Sequence, residues 1–288
     1  MEINQIDFVL ITDHNNSDYK YFEDEKIFAG EERNTEDGRL LLLGNKIPVI
    51  SHPNNFEFEH YRWKGEFKKD YLYEIINIKD IVVWNKLITG LSLIKNLLIF
   101  PITRNIIHKW NSLIPADKWI ELYFNRAKGL KIIGGTDLHI KVVYQERTHG
   151  LMIPSYKSGF KWLINIVYST HPIENKDQLL NALKNGNLYI SLKQNFFNIW
   201  AEKDNKIYIL GEEIPLDSNI YFEFNKKKKV AILKKDNIPV LITEKDYFKY
   251  KAKEKGDYHL ELYEYDFKLF GYYFGFRLIG ITNFFKVV

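Results

Sequence analysis

Apolar runs that stop at polar side chains recur along the first half of the chain. The clearest spans residues 132–139, where β-branched residues lead through two glycines to Asp137 and His139. Such a run predicts a strand buried on both faces, and the glycines allow a tight turn at its carboxyl end. Three earlier runs end in the same way, at residues 7–12, 47–50 and 81–83.

The residues that follow these earlier runs can bind a metal or a substrate. In chain order they are Asp13 with His14, then His52, then Asn85. Between the first two runs, an Asp-Gly pair separates two apolar segments and predicts a β-hairpin. This hairpin would place Glu31 or Glu32 near its base.

Two segments have the pattern of amphipathic helices. Residues 115–128 begin at a proline and end at Gly129, and residues 176–184 carry a leucine face and end at Gly186. The first of these helices leads directly into the strand that precedes Asp137. This order of helix, glycine, strand and polar loop predicts the β/α alternation of a parallel sheet or barrel, in which strand ends meet at one mouth.

The spacing of apolar runs changes beyond about residue 196. Short strand-like runs separated by Asp, Asn, Gly and Lys predict an antiparallel sheet or sandwich there. We therefore expect a barrel domain over residues 1–194 and a β-rich domain over residues 195–288.

Composition narrows the classes of function. The 288 residues include no cysteine, which excludes disulfides and thiolate ligands, and a net charge of +4 is too small and dispersed for a nucleic-acid surface. The apolar run at residues 87–101 carries Lys95 and Asn96 in its middle, so a buried helix or a lid is expected and not a membrane span. The first residues lack the pattern of a signal peptide, and we expect a cytoplasmic protein.

Carboxylates and imidazoles without thiols suit Zn, Mn or Fe. Two such ions held roughly 3.5–4 Å apart lower the pKa of water and stabilise the oxygens of a phosphoryl transfer. Each residue also has a structural alternative, since a His before a proline is common in turns and Asp13 can bond its own backbone. The coincidence of several strand-end ligands in one chain favours the metal hypothesis.

Five segments, in order, resemble motifs of the polymerase-and-histidinol-phosphatase (PHP) superfamily, and within it the carbaryl-hydrolase-like metallohydrolases. They are residues 11–15, 30–32, 51–53, 83–85 and 135–139. The resemblance implies an α/β fold, a distorted (β/α) barrel of the PHP type followed by an antiparallel β-rich domain. It implies two or three divalent metal ions, and the ligands it assigns are His14, Glu32, His52, Asp137 and His139. Glu32 is preferred to Glu31 because the family's glutamate stands two residues after the glycine, and Asp13 would be a further ligand or a carboxylate that orients the site.

The family's opening His-x-His motif has no counterpart in this chain. We therefore expect a barrel that lacks its first strand in an N-terminally truncated chain. The expected function is that of a metal-dependent hydrolase, a phosphoesterase that acts on a small phosphorylated molecule through metal-activated water. Its catalytic residues would be Asp13, His14, Glu32 and His52. The alternative is a catalytically inactive or truncated PHP-derived protein that serves as a binding or scaffold module.

Overall fold

The structure, a computed structural model, describes residues 6–84, 86–103, 108–138 and 159–288. Strands make up 41% of the described residues and helices 21%. The described residues form a curled six-stranded sheet in the first half of the chain and a pair of stacked sheets in the second half.

The six-stranded sheet has the strand order β1-β2-β3-β4-β5-β6. The strands are β1 (Val9–His14), β2 (Ile27–Thr35), β3 (Gly38–Leu43), β4 (Ile47–Ile50), β5 (Leu72–Asn77) and β6 (Lys131–Gly135). β1 runs parallel to β2, β3 runs antiparallel to both β2 and β4, and β4, β5 and β6 are parallel to one another. Five strands therefore share one direction, and their carboxyl ends lie along one edge of the sheet.

The predicted (β/α) barrel is wrong: the sheet is a curled half-barrel, and β2, β3 and β4 follow one another without helices between them. The reason lies in the connections, since two residues join β2 to β3 and three join β3 to β4. Parallel neighbours need a crossover of a dozen or more residues, so connections this short enforce antiparallel pairing. The hairpin that the Asp-Gly pair predicts is present, and it is incompatible with a barrel of alternating strands and helices.

The described residues contain four α-helices, and three of them lie between β5 and β6. They are α1 (Ile78–Trp84), α2 (Lys86–Thr103), α3 (Ala116–Arg126) and, further on, α4 (Lys176–Asn185). The strand predicted before Asn85 is wrong, because α1 occupies those residues. The Asn77 side chain accepts hydrogen bonds from the backbone N–H groups of Lys79 and Asp80, which starts this helix directly after β5. Asn85 itself lies outside the described residues.

The α2 helix is not the buried helix that its composition predicts. Only 11% of its residues are buried, although it is long and apolar enough to be a candidate span. It is the one such candidate in the described part of the chain, and a single helix of this kind is weak evidence for a membrane span.

The second half of the chain forms two stacked sheets and a small hairpin. The strands are β7 (Leu163–Val167), β8 (Leu188–Leu192), β9 (Asn198–Lys203), β10 (Lys206–Tyr208), β11 (Glu213–Ile214), β12 (Asn219–Glu223), β13 (Lys229–Lys235), β14 (Ile238–Thr243), β15 (Tyr247–Lys251), β16 (Gly256–Glu264), β17 (Phe267–Leu269), β18 (Tyr272–Phe274), β19 (Arg277–Thr282) and β20 (Phe285–Val287). One sheet has the order β10-β9-β12-β15, the other runs β11-β20-β16-β19-β8-β7 with β13 and β14 attached, and β17 pairs with β18. Phe222 and Phe248 of the first sheet and Leu260 and Ile279 of the second belong to the core between them. The domain boundary at residue 194 stays a prediction, and the larger sheet contains strands from both sides of it.

Two asparagine side chains join the halves by completing the free edge of β6. Asn283 accepts a hydrogen bond from the Ile132 N–H at 2.8 Å and donates to the carbonyls of Ile132 and Leu188 at 2.8 and 3.2 Å. Asn165 accepts from the Gly134 N–H at 2.9 Å and donates to its carbonyl at 2.8 Å. Buried backbone groups that would otherwise lack partners are thereby satisfied.

Replacing Asn283 by Ala should destabilise the protein by about 2–4 kcal/mol, because the substitution leaves the buried N–H and C=O of Ile132 unpaired, while the Leu188 carbonyl keeps its bond from the backbone N–H of residue 283. Urea unfolding followed by circular dichroism measures the effect. Asn198→Ala is the control, since Asn198 is exposed and should change stability by less than about 0.5 kcal/mol. Equal effects of the two substitutions would contradict this role for Asn283.

Candidate functional site

The candidate site lies at the edge where the five codirectional strands end. β1 ends at His14, β4 is followed by Ser51 and His52, and β6 is followed by Thr136 and Asp137. Because these strands are neighbours or near neighbours in one curled sheet, residues far apart in sequence approach each other here.

The first pair of predicted site residues lies on β1 and β2. His14 and Glu32 are register partners across the parallel ladder, and His14 Nδ1 lies 3.4 Å from Glu32 Oε2. Glu32 is buried, whereas Glu31 forms an ion pair with Arg33 at 2.7 Å. Asp13 is exposed and is the register partner of Glu31. The structure therefore places Glu32 in the cluster with His14 and leaves Asp13 at its periphery.

His52 is the centre of the cluster and has 1% of its surface exposed. Its Nδ1 lies 3.0 Å from Asp80 Oδ1. Its Nε2 lies 3.3 Å from Glu32 Oε1 and 3.5 Å from Asp137 Oδ2. Both ring nitrogens of one buried imidazole therefore face carboxylates, with Asp80 on one side and a pair of carboxylates on the other.

Four of the predicted ligands thus come together, namely His14, Glu32, His52 and Asp137. His139, the fifth, lies outside the described residues, so its assignment stays a prediction.

Two carboxylates of the cluster were missing from the sequence-based prediction, Asp80 and Glu74. Asp80 lies in the first turn of α1 and also accepts a hydrogen bond from Asn55 at 2.8 Å. Glu74 is the single acidic residue of β5, and a charged residue inside an otherwise apolar buried strand was the available signal. It accepts hydrogen bonds from the Ser51 hydroxyl at 2.9 Å and the His52 backbone N–H at 3.1 Å.

The second glycine of the opening run has a specific role beside Glu74. A Cβ atom at Gly135 would collide with the Glu74 carboxylate. The glycine pair is therefore needed for the close approach of β6 to β5 at the site, in addition to the turn that follows.

The backbone at the site adopts left-handed conformations at residues that are not glycine. His52 has φ +50° and Asp137 has φ +40°, and each lies one or two positions past the end of its strand. A non-glycine residue in this region costs on the order of 1–3 kcal/mol, and such strain is common at functional sites. The hydrogen bond from the His52 N–H to Glu74 helps to hold this conformation.

The charges in the cluster stabilise one another. Burial by itself lowers the pKa of His52, but the hydrogen bonds to Asp80 and Glu32 and the nearby negative charges outweigh burial and raise it to about 10. Burial raises the pKa of Glu32, but His52 and Arg39 outweigh it and lower this pKa to about 2. His52 is therefore a cation held among carboxylates in the metal-free protein.

Two further cations face the same cluster. Arg39 Nη1 lies 2.7 Å from Glu32 Oε1, and Lys79 Nζ lies 3.0 Å from Asp137 Oδ2. The Tyr61 ring contacts both, with the Arg39 guanidinium 3.8 Å and the Lys79 ammonium 5.8 Å from the ring centroid. One aromatic ring thus positions two cations beside the carboxylates.

The donor set agrees in chemical type with a site for a divalent transition metal. It offers two imidazoles and two carboxylates, and the contact of Asp80 with His52 Nδ1 matches the carboxylate that usually orients a metal-bound histidine. The enclosure is incomplete within the described residues, where no three His, Asp or Glu side chains surround a common ion position. The residues therefore fit a divalent metal in two respects, the types of their donor atoms and the position of Asp80 beside Nδ1 of His52.

Burial makes the stability of the protein depend on the ionisation of Glu74. Burial raises the pKa of Glu74 to about 7, although the His52 charge opposes this shift. The folded protein then holds this proton more tightly than the unfolded chain, so the free energy of unfolding falls as pH rises from about 4.5 to about 7.

Glu74→Gln should remove this loss because its side chain stays neutral at every pH. From about pH 4 to about pH 8, the stability of the variant relative to the native protein should increase by about 3 kcal/mol. Urea unfolding at both pH values measures the difference, and the acidic measurement is the control because both side chains are then neutral. A difference that does not change with pH would contradict the assignment of a buried, ionisable Glu74.

Comparisons with known proteins found no match to this chain. No protein-family model matches it, and neither does any curated protein or solved structure.

Proposed function

We propose that this chain is a metal-dependent hydrolase that cleaves phosphoesters. The observation that carries the proposal is the buried His52, with Asp80 at Nδ1 and both Glu32 and Asp137 at Nε2. The order of motifs that resembles the PHP superfamily supports the same chemistry, although the fold is not the barrel of that family.

Four described residues would hold the metal, and His139 is a fifth candidate from the sequence. His14, Glu32, His52 and Asp137 supply two nitrogens and up to four carboxylate oxygens. Asp80 would accept the Nδ1 proton of His52 and keep Nε2 directed at Glu32 and Asp137. When bound, a Zn, Mn or Fe ion would polarise the phosphoryl group and lower the pKa of an attacking water.

The two cations beside the ligands suit a phosphorylated substrate. Arg39 presents a planar guanidinium that can bind two phosphoryl oxygens, and Lys79 presents a compact ammonium. Both are now paired with Glu32 and Asp137. Occupation of those carboxylates by a divalent cation would release Arg39 and Lys79 to bind the negative charge of a phosphoester.

The same ion pairs also favour the alternative, a catalytically inactive binding or scaffold protein. Arg39 neutralises Glu32 and Lys79 neutralises Asp137 without any metal. In that case the cluster would stabilise the sheet edge and would take up no divalent ion.

Metal analysis and an activity assay on the full chain separate the two functions. Protein loaded with Mn²⁺ or Zn²⁺ should retain metal after desalting and should hydrolyse p-nitrophenyl phosphate or bis(p-nitrophenyl) phosphate. His52→Ala and Asp137→Asn should each lower the rate at least about a hundredfold. His139→Ala tests the fifth candidate, and His171→Ala is the control because His171 is exposed and remote from the cluster.

Folded protein that binds no metal and hydrolyses neither substrate would instead support the binding or scaffold function. Activity that depends on metal but survives His52→Ala would refute this site.

Asp80→Asn should weaken metal binding by about 10–100-fold, because the amide cannot hold the Nδ1 proton of His52 as a carboxylate does. Titration with Zn²⁺ measures the affinity, and circular dichroism checks that the variant is folded. Asp177→Asn, on the exposed surface of α4, should leave the affinity unchanged. Unaltered Zn²⁺ affinity in Asp80→Asn would show that Asp80 has no positioning role.

A further inference from the structure

The α2 helix turns two polar side chains toward the protein and exposes most of its large apolar side chains to solvent. Its buried residues are Thr89 and Asn96, and the Asn96 amide donates a hydrogen bond to the His108 carbonyl at 3.2 Å. The large apolar side chains that it exposes are Leu87, Ile88, Leu91, Leu93, Ile94, Leu97, Leu98, Phe100 and Ile102. Leu98 is 77% exposed and Ile102 is 87% exposed. A water-soluble helix normally has the opposite arrangement.

The exposed apolar surface of α2 is too wide for an ordinary docking groove. At 3.6 residues per turn, the exposed apolar positions cover roughly two thirds of the circumference of the helix. A helix packed into a protein groove buries a narrower stripe, on the order of 100° or more. A surface this wide fits a medium that surrounds the helix on several sides, as the acyl region of a bilayer does.

Between Asp80 and Asp117 the sequence contains no acidic residue and four basic ones, which are Lys86, Lys95, Arg104 and Lys109. Lys86 and Lys109 form ion pairs with Glu57 and Asp266, so the positive charge that α2 offers to a ligand lies mainly at the exposed Lys95. Lys95 is exposed in the middle of α2, where its long side chain can extend from the apolar surface to lipid headgroups. Anionic lipids attract basic residues placed in this way.

A second exposed apolar element is linked to α2 through the segment at residues 108–109. The hairpin of β17 and β18 exposes aromatic side chains at its tip, where Phe270 is 90% exposed and Tyr272 is 74% exposed. Its base is tied to the segment after α2, because Asp266 forms an ion pair with Lys109 at 2.7 Å. That segment contacts α2 through the bond between Asn96 and His108. The helix and the base of the hairpin are therefore joined through residues 108–109.

We infer that α2 and the β17–β18 hairpin dock this protein on an anionic lipid bilayer, with the helix lying in the interface and not crossing it. Aromatic residues favour the headgroup level, and apolar side chains enter the outer acyl region. The helix keeps its polar contacts with the rest of the protein through Thr89 and Asn96, so it needs no rearrangement to bind. This inference is independent of the proposed hydrolase activity.

Co-sedimentation of the purified full chain with lipid vesicles tests the inference. The native protein should bind vesicles that contain about one third phosphatidylserine in phosphatidylcholine, and it should bind pure phosphatidylcholine more weakly. Leu91→Glu combined with Leu98→Glu should lower the partition coefficient at least about tenfold, because both side chains lie near the middle of the exposed surface. Phe270→Ser should also lower it.

Ile207→Glu combined with Ile238→Glu is the matched control. These residues, on β10 and β14, are 65% and 66% exposed and lie outside the proposed surface, so vesicle binding should be unchanged. Light scattering without lipid tests self-association. The inference would be overturned if the native protein bound neither kind of vesicle. It would also be overturned if the protein were a dimer that Leu91→Glu with Leu98→Glu dissociates and that does not bind vesicles. Bound protein that resists alkaline carbonate extraction would overturn it as well, because such protein would cross the bilayer.

Discussion

The free edge of β6 is the constraint on which the rest of the structure depends. This strand ends the first sheet, and Asn283 and Asn165 bond the backbone of Ile132 and Gly134 where a seventh strand would otherwise lie. Because the two asparagines belong to the second half of the chain, they join the two halves through side-chain amides. The position of Asp137, two residues past the end of β6, follows from this connection.

Buried side chains of opposite charge stabilise one another in the candidate site. His52 is a cation because Asp80, Glu32 and Glu74 surround it, and Glu32 stays ionised because His52 and Arg39 lie beside it. An isolated charge at the same depth would be strongly destabilising. The residues come from β1, β2, β5 and α1 and from the loops after β4 and β6, so the cluster forms only when the whole edge of the sheet is assembled. The left-handed backbone at His52 is tolerated for the same reason, since Glu74 bonds its N–H.

The candidate site and the proposed membrane-binding helix α2 would lie close together in this molecule. α1 carries Asp80, and α2 begins at Lys86, whose ammonium forms an ion pair with Glu57 at 2.6 Å in the loop that follows His52. A bilayer that receives α2 would therefore lie near the loop that covers the cluster.

The sequence by itself determined those local elements whose conformation depends on residues that are close together in the chain. The hairpin between β2 and β3, the strand before His52, and the helices that precede Gly129 and Gly186 follow from turn chemistry and apolar spacing, which act over a few residues. Gly186 is the C-cap of its helix, whereas α3 ends at Arg126 with Ala127 as its C-cap. The choice of polar strand ends also came from the sequence, although the assignment of function to them stays a proposal. Only the tertiary structure decided that the sheet is a half-barrel, that residues 78–84 form a helix and that α2 turns its apolar side outward. The physical reason is that these outcomes depend on which surfaces meet: an apolar run is compatible with a buried strand, a buried helix or an exposed helix until its neighbours in space are known.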